Sequence, residues 1–200
     1  MNWEAVSPND IKAVMDGMQP GEKLTVLVNS GGGSVMAAQE IYSMLHGRQD
    51  VEIKIQSMAG SAASVIAMAN RSEISPVAML MIHNVSMSGA SGDYHDMQKN
   101  VEILKQMNTA LATAYVNKTG KTEEEILKMM DRETWINANQ ALELGFVDAI
   151  TQDNAVMANA VSGMRLTDEI RQQVMAEKQA RDRIEEEKKQ LLNDLDLYGV

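Results

Sequence analysis

Apolar positions recur at two spacings along this chain, and the alternation between them predicts its layout. Ile11, Val14, Met15 and Met18 share one face of a helix. Ser7 is its N-cap, with Pro8 at the first helical position and Asp10 in the first turn. Pro20-Gly21 stops it. Leu24-Thr-Val-Leu-Val28 is a nearly continuous apolar run, which predicts a strand buried on both faces, as in a parallel sheet. Val35 to His46 reads as a helix and Val51-Glu-Ile-Lys-Ile55 as a second strand. Ala62 to Asn70 is a helix of small residues, and Ala78 to Ile82 a third strand. Strands alternating with helices predict an α/β layered fold with right-handed crossovers.

Met87 to Gly92 is a Gly/Ser-rich loop. Met97, Val101, Leu104, Leu111 and Tyr115 then fall at helical spacing, predicting a long helix over 93–118 that Gly120 ends. Thr122-Glu-Glu-Glu125 is a capping box opening another helix. Asn137 to Gln140 opens a short one ending near Gly145, and Phe146 to Ile150 reads as a last strand. Residues 151–163 are small and polar, like a linker. Residues 164–200 mix charges of both signs around a broken apolar stripe (Ile170, Val174, Ile184, Leu191, Leu195), predicting a solvated helical arm. The expected division is one globular domain over 1–150, a linker over 151–163 and the arm over 164–200.

Composition removes several classes of function. No Cys is present, which excludes disulfides and thiolate chemistry. Three scattered His make no convincing metal set. The formal charge of −10 argues against nucleic acid and anionic membrane as partners. No apolar stretch approaches the roughly 20 residues of a membrane span, and Met-Asn-Trp-Glu-Ala lacks the character of a signal peptide. A cytoplasmic location is the expectation. Aromatics are 4% while Met is 17 of 200, so the core is built from aliphatics, Ala and Met.

Four segments carry candidate chemistry: Asn29 to Val35, Gly60-Ser-Ala-Ala-Ser-Val65, Met79 to His83, and Asp131-Arg-Glu-Thr-Trp135. A serine hydroxyl needs a base, and the base an orienting acid. Ser64, flanked by Ala62, Ala63 and Val65 where a loop becomes a helix, is the expected nucleophile. Ser61 is its rival, and a packed helix start is the plain alternative. His83 ends an apolar run, where a sheet presents catalytic groups; His46 and His95 read as helix-surface residues. Gly31-Gly-Gly33 lacks the spacing of a nucleotide loop and suits close approach of backbone to a ligand.

Taken together, these segments resemble the Clp protease proteolytic subunit family (ClpP) over roughly residues 20–150. Asn29 to Val35 matches its Asn-Ser-Pro-Gly-Gly-Ser-Val, with Gly31 in place of Pro. Ala62-Ala63-Ser64 matches its nucleophile segment, Met81-Ile82-His83 its Met-Ile-His, and Asp131-Arg132-Glu133 its Asp-Arg-Asp. The stretch from Ala138 to Asp148 matches a further spaced pattern. The resemblance implies a ClpP/crotonase-like fold of βαβ units with a protruding handle helix. It implies Ser64 as nucleophile, His83 as base, Glu133 as the acid with Asp131 as alternative, and an oxyanion hole from the amides of Gly33 and Val65. It implies no cofactor and no metal. The partners implied are a polypeptide substrate and other copies of the chain, in a heptameric ring or double ring.

The interval from Ser64 to His83 is short for the family, and most of its N-terminal segment has no counterpart. The Asp-Arg-Glu-Thr-Trp form and the charged arm resemble ClpP-related head-maturation proteases of phages and prophages. A serine endopeptidase acting in capsid maturation, with a capsid or scaffold protein as partner, is therefore the expectation. The alternatives are a general ClpP subunit serving an ATPase, an inactive assembly scaffold, and a crotonase-type acyl-CoA enzyme.

Overall fold

The computed structural model describes residues 5–151. In chain order the elements are α1 (Pro8–Gly17), β1 (Leu24–Ser30), α2 (Val35–Leu45), β2 (Val51–Gly60), α3 (Ala62–Ala67), β3 (Ser72–Ile74), β4 (Met79–Ile82), α4 (Tyr94–Thr119), α5 (Glu123–Asp131), β5 (Thr134–Asn137), α6 (Ala138–Glu143) and β6 (Ala149–Ile150). This is the α/β layered fold expected. The linker and the charged arm lie outside the described residues.

β2 organises the sheet. It is ten residues long and carries β1 along one edge, in parallel, from Leu24↔Val51 to Ser30↔Ala59. Its other edge is shared. β3 pairs with Ile53 to Ile55, while β4 pairs with Met58 to Gly60. The sheet therefore forks, running through β3 to β6 on one branch and through β4 to β5 on the other. Every pairing is parallel except β4 with β5.

The local signals hold where caps are explicit. Ser7 and Asp10 form a capping box, as do Thr122 and Glu125, and Asn137 and Gln140. The long helix α4 starts at the Asp93 cap and ends at Gly120 in the left-handed conformation. At 1.5 Å per residue it runs about 39 Å. Only its C-terminal half docks: Leu111, Ala112, Ala114 and Tyr115 are buried, whereas Tyr94 and Val101 are exposed. Tyr115 meets Phe146 edge-on at 6.1 Å between ring centres, inside a core that includes Leu45, Ile53, Ile55, Ile74, Leu80, Ile82, Ile126 and Met130.

Several expectations change, among them the second strand, which runs on from Ile55 to Gly60. β1 is not buried on both faces: Val28 is buried while Thr25 and Leu27 are exposed, because β1 is an edge strand. α3 stops at Ala67, short of Asn70. β3 and β5 are additional strands, too short to show a period. The last strand shrinks to Ala149–Ile150, since Phe146 and Val147 enter the core as a loop after Gly145, at φ 81°.

Candidate active site

Strand ends build the site. β2 and β4 are parallel neighbours, with Gly60 opposite Met81. The residues that follow them, Ser61 and His83, therefore leave the sheet side by side. β5 runs antiparallel to β4, with Thr134 opposite Ile82. Glu133, just before β5, accordingly enters opposite His83. Sheet register alone gathers three residues that are distant in sequence at the carboxyl ends of parallel strands, where α/β sheets present their chemistry.

Ser61 Oγ lies 2.7 Å from His83 Nε2. That is a hydrogen bond, with the geometry for imidazole to take the hydroxyl proton. Ser61 has φ 51° and ψ −124°, a region costly to any side chain. β2 passes into α3 with this single residue between them, so Ser61 alone absorbs the turn. A strained strand-to-helix turn is how a nucleophilic serine is presented above a sheet. The strain is of order 1–3 kcal/mol and is offset by hydrogen bonds. Ser61 N–H donates to Met81 O at 2.9 Å, and Ser61 O accepts Ser64 N–H at 2.9 Å.

The glycine segment closes over this turn. A Cβ on Gly32, at φ 125°, would stand 2.7 Å from Ser61 Cβ and 3.1 Å from its Oγ. A Cβ on Gly60 would stand 2.9 Å from Gly31 O. Glycine at positions 32 and 60 is thus what lets the two backbone segments touch.

The structure brings Ser61, not Ser64, to His83. Ser64 is fully buried one turn into α3, where its Oγ donates to Ser61 O at 2.6 Å and contacts Tyr115 Oη at 2.8 Å. It faces the core because Ser64 lies inside α3, on the face packed against Tyr115, whereas Ser61 stands outside the helix as its N-cap with a direction set by its own positive φ. The amides next to Ser61 are not the pair expected, Gly33 and Val65. Val65 follows Ser64 and is buried, whereas Ala62 follows Ser61 at the first position of α3, where an amide has no acceptor within its own helix. Gly33 is exposed, and Gly32 is the glycine against Ser61. Gly32 N–H donates to Ser30 Oγ at 3.2 Å.

The acid side is looser. Glu133 Oε2 is 3.8 Å from His83 Nδ1, beyond hydrogen-bond length, and its side chain is 55% exposed. Its Oε1 accepts the Trp135 indole N–H at 3.1 Å, and its backbone is left-handed, φ 48°. Asp131 instead accepts Asn84 Nδ2 at 2.8 Å. His46 caps α2, stacked on Tyr42 with Nδ1 2.9 Å from Ala69 O. His95 is exposed near the start of α4. Among the described residues there is no group of His, Asp and Glu arranged to hold a metal ion, and no helix is long and apolar enough to cross a membrane.

A family profile described as Clp protease matches residues 11–154. The chain belongs to the Clp protease family. The ATP-dependent Clp protease proteolytic subunit 1 of Corynebacterium glutamicum is 34% identical over 151 residues, covering 72% of this chain and 73% of the relative. Proteolytic subunit 2 of Tropheryma whipplei is 33% identical over 135 residues, 66% of this chain and 74% of that one. Proteolytic subunit 1 of Chlamydia trachomatis is 30% identical over 136 residues, 66% of this chain and 71% of the relative. Membership of the Clp family makes the chain a serine-type peptidase, a hydrolase.

Proposed function

We propose that Ser61, His83 and Glu133 hydrolyse peptide bonds in polypeptide substrates. The observation that carries this reading is the 2.7 Å bond between Ser61 Oγ and His83 Nε2 at paired strand ends. Ser61 Oγ attacks the scissile carbonyl carbon as His83 Nε2 takes its proton. The oxyanion is received by backbone amides of the glycine segment, at Gly33, and of Ala62, since the Gly32 N–H is engaged by Ser30 Oγ. His83 returns the proton to the departing amine, leaving an ester on Ser61. Water, deprotonated by His83, then cleaves that ester. Glu133 faces the Nδ1 side of His83 at 3.8 Å, and that spacing suits a modest orienting contribution.

The named relatives favour a general proteolytic subunit working with an unfolding ATPase over the expected role in capsid maturation. That phage reading rests on the Asp131-Arg-Glu-Thr-Trp135 form and on the arm, and the relatives give it no further support. A homo-oligomeric ring, with the exposed half of α4 as a contact, accompanies the proposal. Apolar side chains at Val101, Ile103, Leu27 and Met36 are exposed on the single chain and suit such burial.

The test is hydrolysis of a short fluorogenic peptide by the full chain, then degradation of a folded reporter with and without a Clp-type ATPase and ATP. Peptide turnover alone, with reporter loss only when ATPase and ATP are present, is the expected result. Absence of peptide turnover by an assembled chain contradicts the proposal. Sedimentation at micromolar concentration checks the ring, and a fully active monomer contradicts that part.

A further inference from the structure

We infer that Ser64 and Tyr115 are positioning residues that hold the Ser61 turn in register with His83, an inference that rests on Ser61 being the nucleophile. Elementary bonding fixes the direction of each proton. The Ser61 carbonyl can only accept, so the Ser64 hydroxyl 2.6 Å away donates to it. With its one proton committed, Ser64 Oγ accepts at its second contact, from the Tyr115 hydroxyl at 2.8 Å. Burial pushes the Tyr115 phenol well above its ordinary value, so it remains a donor across the working range. The relay runs one way, from Tyr115 O–H through Ser64 O–H to Ser61 C=O.

This relay acts on the one residue whose backbone must be strained. The peptide plane before Ser61 Cα is held by its N–H on Met81 O. The plane after it is held by two donors of Ser64, the amide and the hydroxyl. With both planes fixed, φ and ψ are fixed, and so is the direction of Cβ. That direction carries Oγ to His83. Without the hydroxyl clamp, relaxation of a positive φ swings Oγ away from the imidazole. Tyr115 sits 51 residues from Ser64 on the docked half of α4, so seating of that helix reaches the reacting oxygen through two hydroxyls.

A purely structural pair would only satisfy two buried hydroxyls. Substitution separates the two roles, because removing both partners leaves nothing unpaired. The experiment measures kcat and KM on a fluorogenic peptide, the fluorophosphonate labelling rate and Tm. It compares full-length wild type with Ser64→Ala, Tyr115→Phe and the double variant. Displacement of a reacting atom by a fraction of an ångström predicts that Ser64→Ala lowers kcat and labelling roughly tenfold, with KM held within about twofold. Tyr115→Phe is expected to lower kcat roughly threefold. The double variant should regain most of the Tm lost in Ser64→Ala while its kcat stays roughly tenfold down.

Recovery of kcat together with Tm in the double variant, or wild-type kcat in Ser64→Ala, overturns the inference. If Ser64→Ala does not fold, Tyr115→Phe decides: an unchanged kcat overturns the inference and a slowed kcat at constant KM supports it. Ser61→Ala distinguishes failure of the underlying assignment. Persistent labelling of that variant removes Ser61 as nucleophile, whatever the other variants show.

Discussion

The two sides of His83 are built differently. On its Nε2 side, Ser61 is 2.7 Å away on a turn pinned to β4 and to the core. On its Nδ1 side, Glu133 stands 3.8 Å away, more than half exposed, with an exposed tryptophan as its partner. The first side is preorganised by the backbone hydrogen bonds that fix the Ser61 turn and by a part-buried side-chain bond to His83. The second is a solvent-screened contact whose geometry water and neighbouring chains can alter. A single chain therefore brings the proposed nucleophile and base together, while the proposed acid is set more loosely.

Substitutions on the two sides should differ accordingly. Ser61→Ala and His83→Ala remove the reacting pair, and each should lower peptide kcat by about 10³-fold or more. Steady-state hydrolysis checks this, and residual activity within tenfold of wild type in either variant contradicts it. Glu133→Gln keeps the shape and the Trp135 contact but removes the charge. At 3.8 Å and in contact with solvent, it should cost only about 10- to 100-fold. A loss near the roughly 10⁴-fold of a buried triad acid would mean that Glu133 closes onto His83 in the working assembly.

Trp135→Phe deletes the indole donor to Glu133 together with one ring of a half-exposed side chain. A loss of about twofold to fivefold in kcat fits one exposed hydrogen bond of roughly 0.5–1 kcal/mol. Asp131→Asn serves as the comparison within the same segment. Its partner is Asn84 rather than His83, and kcat should fall less than for Glu133→Gln. The reverse ranking would move the acid's role to Asp131.

The smallest effect lies far from the site, where Lys118 and Ser72 N–H both donate to Asp148. Burial pushes the Asp148 carboxyl up, but those hydrogen bonds outweigh it and hold the group below its ordinary value. A carboxylate depressed in the folded state adds stability above its unfolded value of about 3.9. That contribution is lost as pH falls through the lower folded value. Wild type should therefore be more stable than Asp148→Asn at pH 7, by about 1 kcal/mol or less for a partly exposed pair. The two should converge below about pH 4 in denaturant melts, and a gap that widens with acid would contradict the sign.

Much of this arrangement was legible in the chain. Caps at Ser7, Thr122 and Asn137 named helix starts that the structure reproduces, because a capping box is a local hydrogen-bond pattern. His83 was legible because the apolar run before it is a strand. Ser61 against Ser64 was not, and the reason is where β2 ends. Val51 to Ile55 alternates visibly, but Gln56 to Gly60 extends the strand without any apolar period, held by pairing with β1 and β4. Ending the strand at Ile55 leaves both serines in an undefined loop, with small neighbours on either side. Ending it at Gly60 puts Ser61 alone on the strand-to-helix turn. Glu133 was legible as a residue but not as a loose contact, since its distance to His83 depends on the antiparallel pairing of β5, too short to read from sequence.

Mass mapping of the fluorophosphonate adduct on the full-length wild-type chain decides between the two serines. The adduct is expected on Ser61, in the peptide that also contains Ser64, with fragment ions placing the added mass before Ala62. An adduct on Ser64, with unchanged labelling of Ser61→Ala, would contradict the assignment of the nucleophile and with it the role given to the strained turn.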